Sequence, residues 1–165
     1  MNRKALAIII SVCMLLTMTP ITGFAKTIDQ KVDFIDTGHW ASDQILKWSN
    51  LGLIRGDERG FRPDDPITRG EMAVILNNLM DYQMKAVNTF SDVKDTAWYV
   101  DAVLKANASG VLSGDGKGHA FPEKNITREE AATMFARAFA VDENTGEETS
   151  FKDVGDISAW ARPFV

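Results

Sequence analysis

Blocks of this sequence occur twice in the same order, about 60 residues apart, and that repetition limits the fold more than any other feature of the chain. One unit begins at Phe34-Ile35-Asp36, with Trp40 after it, and the next at Phe90-Ser91-Asp92, with Trp98. A third start, Phe151-Lys152-Asp153 with Trp160, lies near the end of the 165 residues. Between the starts, Gly52-Leu53-Ile54-Arg55-Gly56-Asp57 matches Gly110-Val111-Leu112-Ser113-Gly114-Asp115. Further on, Pro63 to Glu71 (PDDPITRGE) matches Pro122 to Glu130 (PEKNITREE). Units of this kind bury their apolar faces against neighbouring units rather than alone.

Within a unit the order is helix, loop, helix. From Trp40 to Leu51, the residues Ala41, Ile45 and Trp48 fall at i, i+4 and i+7, and the counterpart from Trp98 to Ser109 is rich in Ala, Val and Leu. Gly52 and Gly110 then stop these helices, as glycine just past a helix commonly does. The second helix starts at Thr68 with Glu71, and again at Thr127 with Glu130. This is the spacing of a capping box, in which each side chain satisfies a backbone N–H at the helix start. Ile67 and Ile126, just before the caps, are placed to staple to Met72 and Ala131. Behind them Met72, Ile75, Leu76 and Leu79 form one stripe, and Ala131, Met134, Phe135 and Ala138 form its copy. These periods predict an all-α chain.

Caps and stripes do not explain Arg69 and Arg128. Each stands at the first helical position, where the helix dipole disfavours a cation. Two explanations fit: an anion held there by the guanidinium and the free N–H groups, or a pairing with a nearby carboxylate such as Asp64 or Asp65. The recurrent Trp40, Trp98 and Trp160 open the first helices, where a large indole favours burial in packing, with a sugar platform as the alternative. Asp36, Asp92 and Asp153 suit an N-cap or turn ahead of those helices. The Asp57 and Asp115 turns lack the alternating carboxylates of a calcium loop, so tight turns and no metal are expected.

The chain's head differs from the rest. Arg3 and Lys4 precede an apolar run from Ala5 to Met18, then Pro20 and Gly23-Phe24-Ala25, the layout of a secretory signal peptide over residues 1–25. The run is short of the about 20 residues a membrane-spanning helix needs, so no membrane partner is expected after cleavage. Cys13, the one cysteine, would leave with it, so the mature chain has no disulfide and no thiol nucleophile. The net charge of −5 becomes more negative once Arg3 and Lys4 are removed, which argues against nucleic-acid binding. His39 and His119 fall at non-equivalent places and outside any zinc or nucleophile motif, so neither a cofactor nor catalysis is indicated.

Phe-x-Asp, the tryptophan, the Gly-apolar-apolar-x-Gly turn, Phe61-x-Pro63 and Ile-Thr-Arg-x-Glu together resemble the S-layer homology domain, a cell-wall anchoring module of bacteria. The resemblance runs from Phe34 onward, with repeat 1 at 34–82, repeat 2 at 90–140 and the start of repeat 3 at 151–165. It implies helix-loop-helix repeats in a pseudo-threefold helical bundle. It also implies a secreted, non-catalytic protein of the cell wall or surface layer. Grooves between repeats would bind secondary cell-wall polysaccharide bearing pyruvate ketals, with Arg69 and Arg128 on the ketal carboxylate and Trp40 and Trp98 as further candidates. Thr68, Glu71, Thr127 and Glu130 are expected to be structural caps. The chain departs from the pattern at Ala120-Phe121-Pro122, where the loop is longer. It also stops five residues after Trp160, which leaves repeat 3 truncated. The chain is then a truncated product, the N-terminal part of a longer wall-bound enzyme or anchor, or a protein that self-associates through the open unit.

Overall fold

The computed structural model describes residues 38–141, 152 and 154–164. The leader at 1–25, Phe34-Ile35-Asp36, Phe151 and Asp153 lie outside the described residues. Four α-helices are present among them: α1 (Ser42–Asn50), α2 (Arg69–Met80), α3 (Val100–Ala108) and α4 (Arg128–Ala138). Short 3₁₀ turns follow at Val154–Asp156 and Arg162–Phe164. No strand occurs among the described residues, and backbone bridges are isolated, at Asp57 with Gly60 and at Thr68 with Asn125. The chain is all-α.

Local chemistry sets the helix ends. Thr68 Oγ1 accepts the Glu71 N–H at 3.2 Å while the Thr68 N–H donates to Glu71 Oε2 at 2.6 Å. Thr127 and Glu130 repeat this at 3.2 and 2.8 Å, so both capping boxes are complete. Gly52 and Gly110 both take φ of 73°, the left-handed conformation that only glycine adopts cheaply, and so end α1 and α3. Neither α1 nor α3 has a side-chain N-cap. Both begin two residues later than the periodicity predicts, which leaves Trp40 and Trp98 in the preceding turn. The expected packing of these indoles is not realised: Trp40 is 89% exposed and Trp98 68%. The buried seat in that turn belongs to the following residue, as Tyr99 and Ala161 show.

The core crosses the repeat boundary. α2 packs on α3 and on α4, and α4 packs on the Arg162–Phe164 turn. Met72, Ala73 and Leu76 of α2 meet Tyr99, Val103 and Ala106 around α3, Val111 and Leu112 beyond it, and Met134 and Ala138 of α4. The stripes are therefore rotated from the expected faces. Ala73 is fully buried, while Leu79 and Phe135 are exposed. Ile126 and Ala131 pack against this core, whereas Ile67 is exposed.

One contact differs between the units. A Cβ on Gly70 would stand 3.0 Å from the Pro122 carbonyl oxygen and 3.2 Å from Tyr99 Cγ, so a side chain at this helix start would press on both neighbours. At the equivalent place after repeat 2, Glu129 replaces the glycine and the buried Ala161 replaces the tyrosine. There Glu129 accepts hydrogen bonds from the N–H and Oγ of Ser158, both at 2.9 Å. Large and small have changed sides.

Apolar side chains are exposed at both ends of the described stack. Among the described residues no other helix packs on α1. Leu46 and Trp48 of α1 are exposed, although their counterparts Leu104 and Ala106 are buried. On α4, Phe135 and Phe139 are exposed where Leu76 and Met80 of α2 are covered.

Candidate functional site

The Ile-Thr-Arg stretch of repeat 1 runs beside the loop of repeat 2. The Ile126 N–H donates to the Ile67 carbonyl at 3.0 Å, Arg69 N–H to the Lys124 carbonyl at 3.0 Å and Gly70 N–H to the Pro122 carbonyl at 2.8 Å. With Glu71 N–H on Thr68 Oγ1, the first three donors of α2 are all taken. The anion seat expected at this helix start is filled by backbone carbonyls, which occupy an N-terminus as readily as an ion does.

Arg69 itself is buried, at 9% exposure. Its Nε donates to the Ala120 carbonyl at 3.0 Å, its Nη2 to the Ser113 carbonyl at 3.1 Å, and its Nη1 lies 3.3 Å from Glu130 Oε1. The carboxylate that balances it thus comes from the next capping box. Of the carboxylates near it in sequence, Asp64 pairs with His39 at 3.2 Å and Asp65 with Arg62 at 2.7 Å. Two carbonyls and a carboxylate offset the unfavourable dipole position. Arg128, at the same motif place, is exposed and has no partner among the described residues.

A cleft of about 440 Å³ opens beside Arg69, between the repeat 2 loop and α4. Ser113, Asp115, Phe121, Lys124, Glu130, Arg137 and Trp160 contribute to its walls. Glu130 is fully engaged, with Oε2 on the Thr127 N–H and Oε1 shared between Arg69 and Lys124 Nζ, the latter at 3.6 Å. Asp115 accepts from Lys117 N–H at 2.7 Å and from His119 N–H at 3.1 Å, and its other oxygen lies 3.0 Å from His119 Nδ1. Desolvation would raise that carboxyl, but these hydrogen bonds outweigh it and hold the pKa at about 2. Arg137 donates to Ser113 Oγ at 3.3 Å and lies 5.0 Å over the Phe164 ring.

Asp92 has a role other than the expected cap. Its two oxygens accept the N–H groups of Ala120 and Phe121, at 2.9 and 2.8 Å, and so fix the loop edge on which Phe121 stands. Phe121 adopts φ of 53°, unusual for a bulky residue, and stacks with His119 at 5.5 Å between centroids.

The sequence candidates therefore divide. Arg69 and Glu130 come together in the cleft, Arg128 stands outside it, and Thr68, Glu71 and Thr127 hold helix starts. Trp40 and Trp98 do not line the cleft, but their counterpart Trp160 does, at 49% exposure. Sequence reasoning missed Lys124, Arg137 and Phe121. The signal for two of them lay in the departures from the repeat, since Phe121 and Lys124 stand where repeat 1 has Arg62 and Asp65.

A family model described as the S-layer homology domain matches residues 35–73 and 89–132. Over 134 residues the chain is 31% identical to the surface-layer 125 kDa protein of Lysinibacillus sphaericus, covering 81% of this chain and 11% of that protein. It is 34% identical to exoglucanase XynX of Acetivibrio thermocellus over 77% of this chain and 12% of the enzyme. It is 30% identical to S-layer protein EA1 of Bacillus anthracis over 84% of this chain and 16% of that protein. The chain thus spans a small part of each of these relatives.

Proposed function

The chain belongs to the S-layer homology domain family, and from that premise we propose that it holds a protein to the bacterial cell wall by non-covalent binding of an acidic secondary wall polysaccharide. Family membership and the S-layer relatives mark it as a secreted protein of the wall or surface layer. The finer reading is a non-catalytic anchor whose ligand carries a carboxylate, as a pyruvate ketal does. One observation carries it: a cleft between the loop and second helix of repeat 2, edged by Arg69 of repeat 1, in which Arg69, Lys124 and Arg137 outnumber Asp115 and Glu130, with Phe121 and Trp160 as apolar walls. Sugar rings offer apolar faces to aromatics, and a carboxylate suits charge-assisted donors. Arg128, at a helix start and unpaired among the described residues, is a second anion contact on this reading.

Co-sedimentation with purified cell walls tests the proposal. The protein is expected to pellet with intact walls and to stay in solution when the secondary polysaccharide has been extracted. Arg128→Ala should weaken pelleting, with a loss that shrinks as salt is raised. Equal pelleting with intact and stripped walls would refute a polysaccharide anchor.

A second reading, self-association, rests on the open faces of α1 and α4. The α2–α3 contact shows how such faces are covered, by the second helix of one unit on the first helix of the next. Leu46 and Trp48 of one copy could meet Phe135 and Phe139 of another in this manner. Light scattering over a dilution series should then show a mass that rises with concentration and returns to one chain in Phe135→Asp. A constant single-chain mass would remove this reading.

A further inference from the structure

We propose that copies of the chain join head to tail through a repetition of the contact between repeat 1 and repeat 2, in which Arg128 of one copy meets Glu71 of the next, and that residues 158–164 guard the place where the joint forms. The proposal rests on the self-association reading above and names its contacts and its control.

The groups that build the junction inside the chain recur, unused, at its two ends. Through the Ile-Thr-Arg blocks, Arg69 and Gly70 align with Arg128 and Glu129, while Pro122, Lys124 and Glu130 align with Pro63, Asp65 and Glu71. At the α4 end, Arg128 is exposed, and neither its guanidinium nor the Arg128 and Glu129 N–H groups have an acceptor among the described residues. At the repeat 1 end, the Pro63 and Asp65 carbonyls have no donor among the described residues. Glu71 there has Oε2 on the Thr68 N–H at 2.6 Å and no partner for Oε1 among the described residues. Arg55, exposed at the place of Ser113, brings a further carbonyl. A copy set on α4 as repeat 2 sits on α2 would thus supply carbonyls to both N–H groups and a carboxylate to Arg128, as Pro122, Lys124 and Glu130 do for Gly70 and Arg69. The same placement brings Leu46 and Trp48 toward Phe135 and Phe139.

Bulk agrees with this pairing. Ala41 stands where repeat 2 has Tyr99, so Glu129 would meet a methyl group rather than a ring. Within the chain, that seat beside Glu129 is held by the equivalent alanine, Ala161, which is 0% exposed. The Ser158 N–H and Oγ bond Glu129 at 2.9 Å, and Phe164 lies 5.0 Å from the Arg137 guanidinium. Repeat 1 has Gly38 at the place of Ser158, so an incoming copy has no hydroxyl with which to replace that bond. A second copy must displace residues 158–164, which compete from within the same chain at high effective concentration. Those residues leave Arg128 and the two N–H groups unfilled, so the incoming copy makes contacts that the guard does not. One end meets the other end of a neighbour, so the joint is heterologous and growth passes beyond a dimer until a ring closes.

The test is light scattering over a dilution series of the mature chain, its R128E, E71R and S158A variants, and an equimolar mixture of R128E with E71R. Circular dichroism melts check that each variant folds. R128E changes an exposed residue and carries the test alone if E71R, which also loses its cap, fails to fold. The wild-type mass should rise with concentration. R128E and E71R should each associate about a hundredfold more weakly, because like charges then face each other at the joint. Their mixture should recover wild-type association, since every joint between unlike variants pairs opposite charges. S158A should reach the wild-type mass at about tenfold lower concentration, because a bond of the guard to a carboxylate is gone. Wild-type association that R128E leaves unchanged, a mixture no heavier than its components, or an S158A variant that associates no better would overturn the proposal while leaving self-association standing. A single-chain mass for wild type and S158A at every concentration overturns both.

Discussion

Arg69→Ala should lower the stability of the fold by about 3–5 kcal/mol, whereas Arg128→Ala, at the same place in an identical motif, should change it by less than about 0.5 kcal/mol. The difference lies in what each guanidinium leaves behind. Removing Arg69 strands the Ala120 and Ser113 carbonyls at the repeat junction and leaves Glu130, whose side chain is 15% exposed, with Lys124 at 3.6 Å as its remaining cation. Buried acceptors and charges that lose their partners cost more than the partnership gained. Removing Arg128 strands no group among the described residues. Urea denaturation of both variants reads the contrast, and the Arg69 variant should also melt more than about 10 °C below the wild type. In a double-mutant cycle, Glu130→Gln should recover part of the Arg69→Ala loss, because an amide is cheaper to leave unpaired than a carboxylate. Matching losses for the two arginines would contradict the structural role of Arg69 at the repeat junction.

Leu76→Ala should cost about 2–5 kcal/mol, the range for deleting a fully buried leucine and leaving a cavity. Leu76 is 0% exposed and belongs to the cluster joining α2, α3 and α4, so the cavity would open at the repeat boundary. The variant should therefore still unfold in one transition, with tryptophan fluorescence and far-ultraviolet dichroism coincident, because both repeats draw on the same core. Phe135→Ala, its counterpart on α4, removes an exposed ring and should cost far less. Two separated transitions in the Leu76 variant would show that the repeats have cores of their own.

What the sequence made legible was local. Capping boxes span three residues and glycine stops one, so Thr68, Thr127, Gly52 and Gly110 could be placed without knowing what lay across the fold. The stripes on α2 and α4 were legible as stripes, but their rotation was not. It depends on small residues such as Ala73 and Ala106, whose value is to let α2 and α3 approach closely. Arg69 showed that something must offset its position. Glu130 could not be named as the answer, because the partnership joins two capping boxes from successive repeats. Asp92 misled because its oxygens are spent on N–H groups of its own repeat's loop, 28 and 29 residues along the chain. Burial of the tryptophans was expected from their area, yet the turn offers one inward seat and the next residue holds it.

The exchange of bulk between Gly70 with Tyr99 and Glu129 with Ala161 gives the repeats an order as well as a number. Units that look interchangeable when aligned are fitted to particular neighbours. Moving repeat 2 ahead of repeat 1 would set Glu129 against Ala41, the residue after Trp40, and Gly70 against Ala161, so the close Gly70–Tyr99 contact would be lost and two small residues would face each other at the second junction. Order is thus written into the junction that Gly70 and Tyr99 share, where the space one unit leaves is filled by the ring the next one brings.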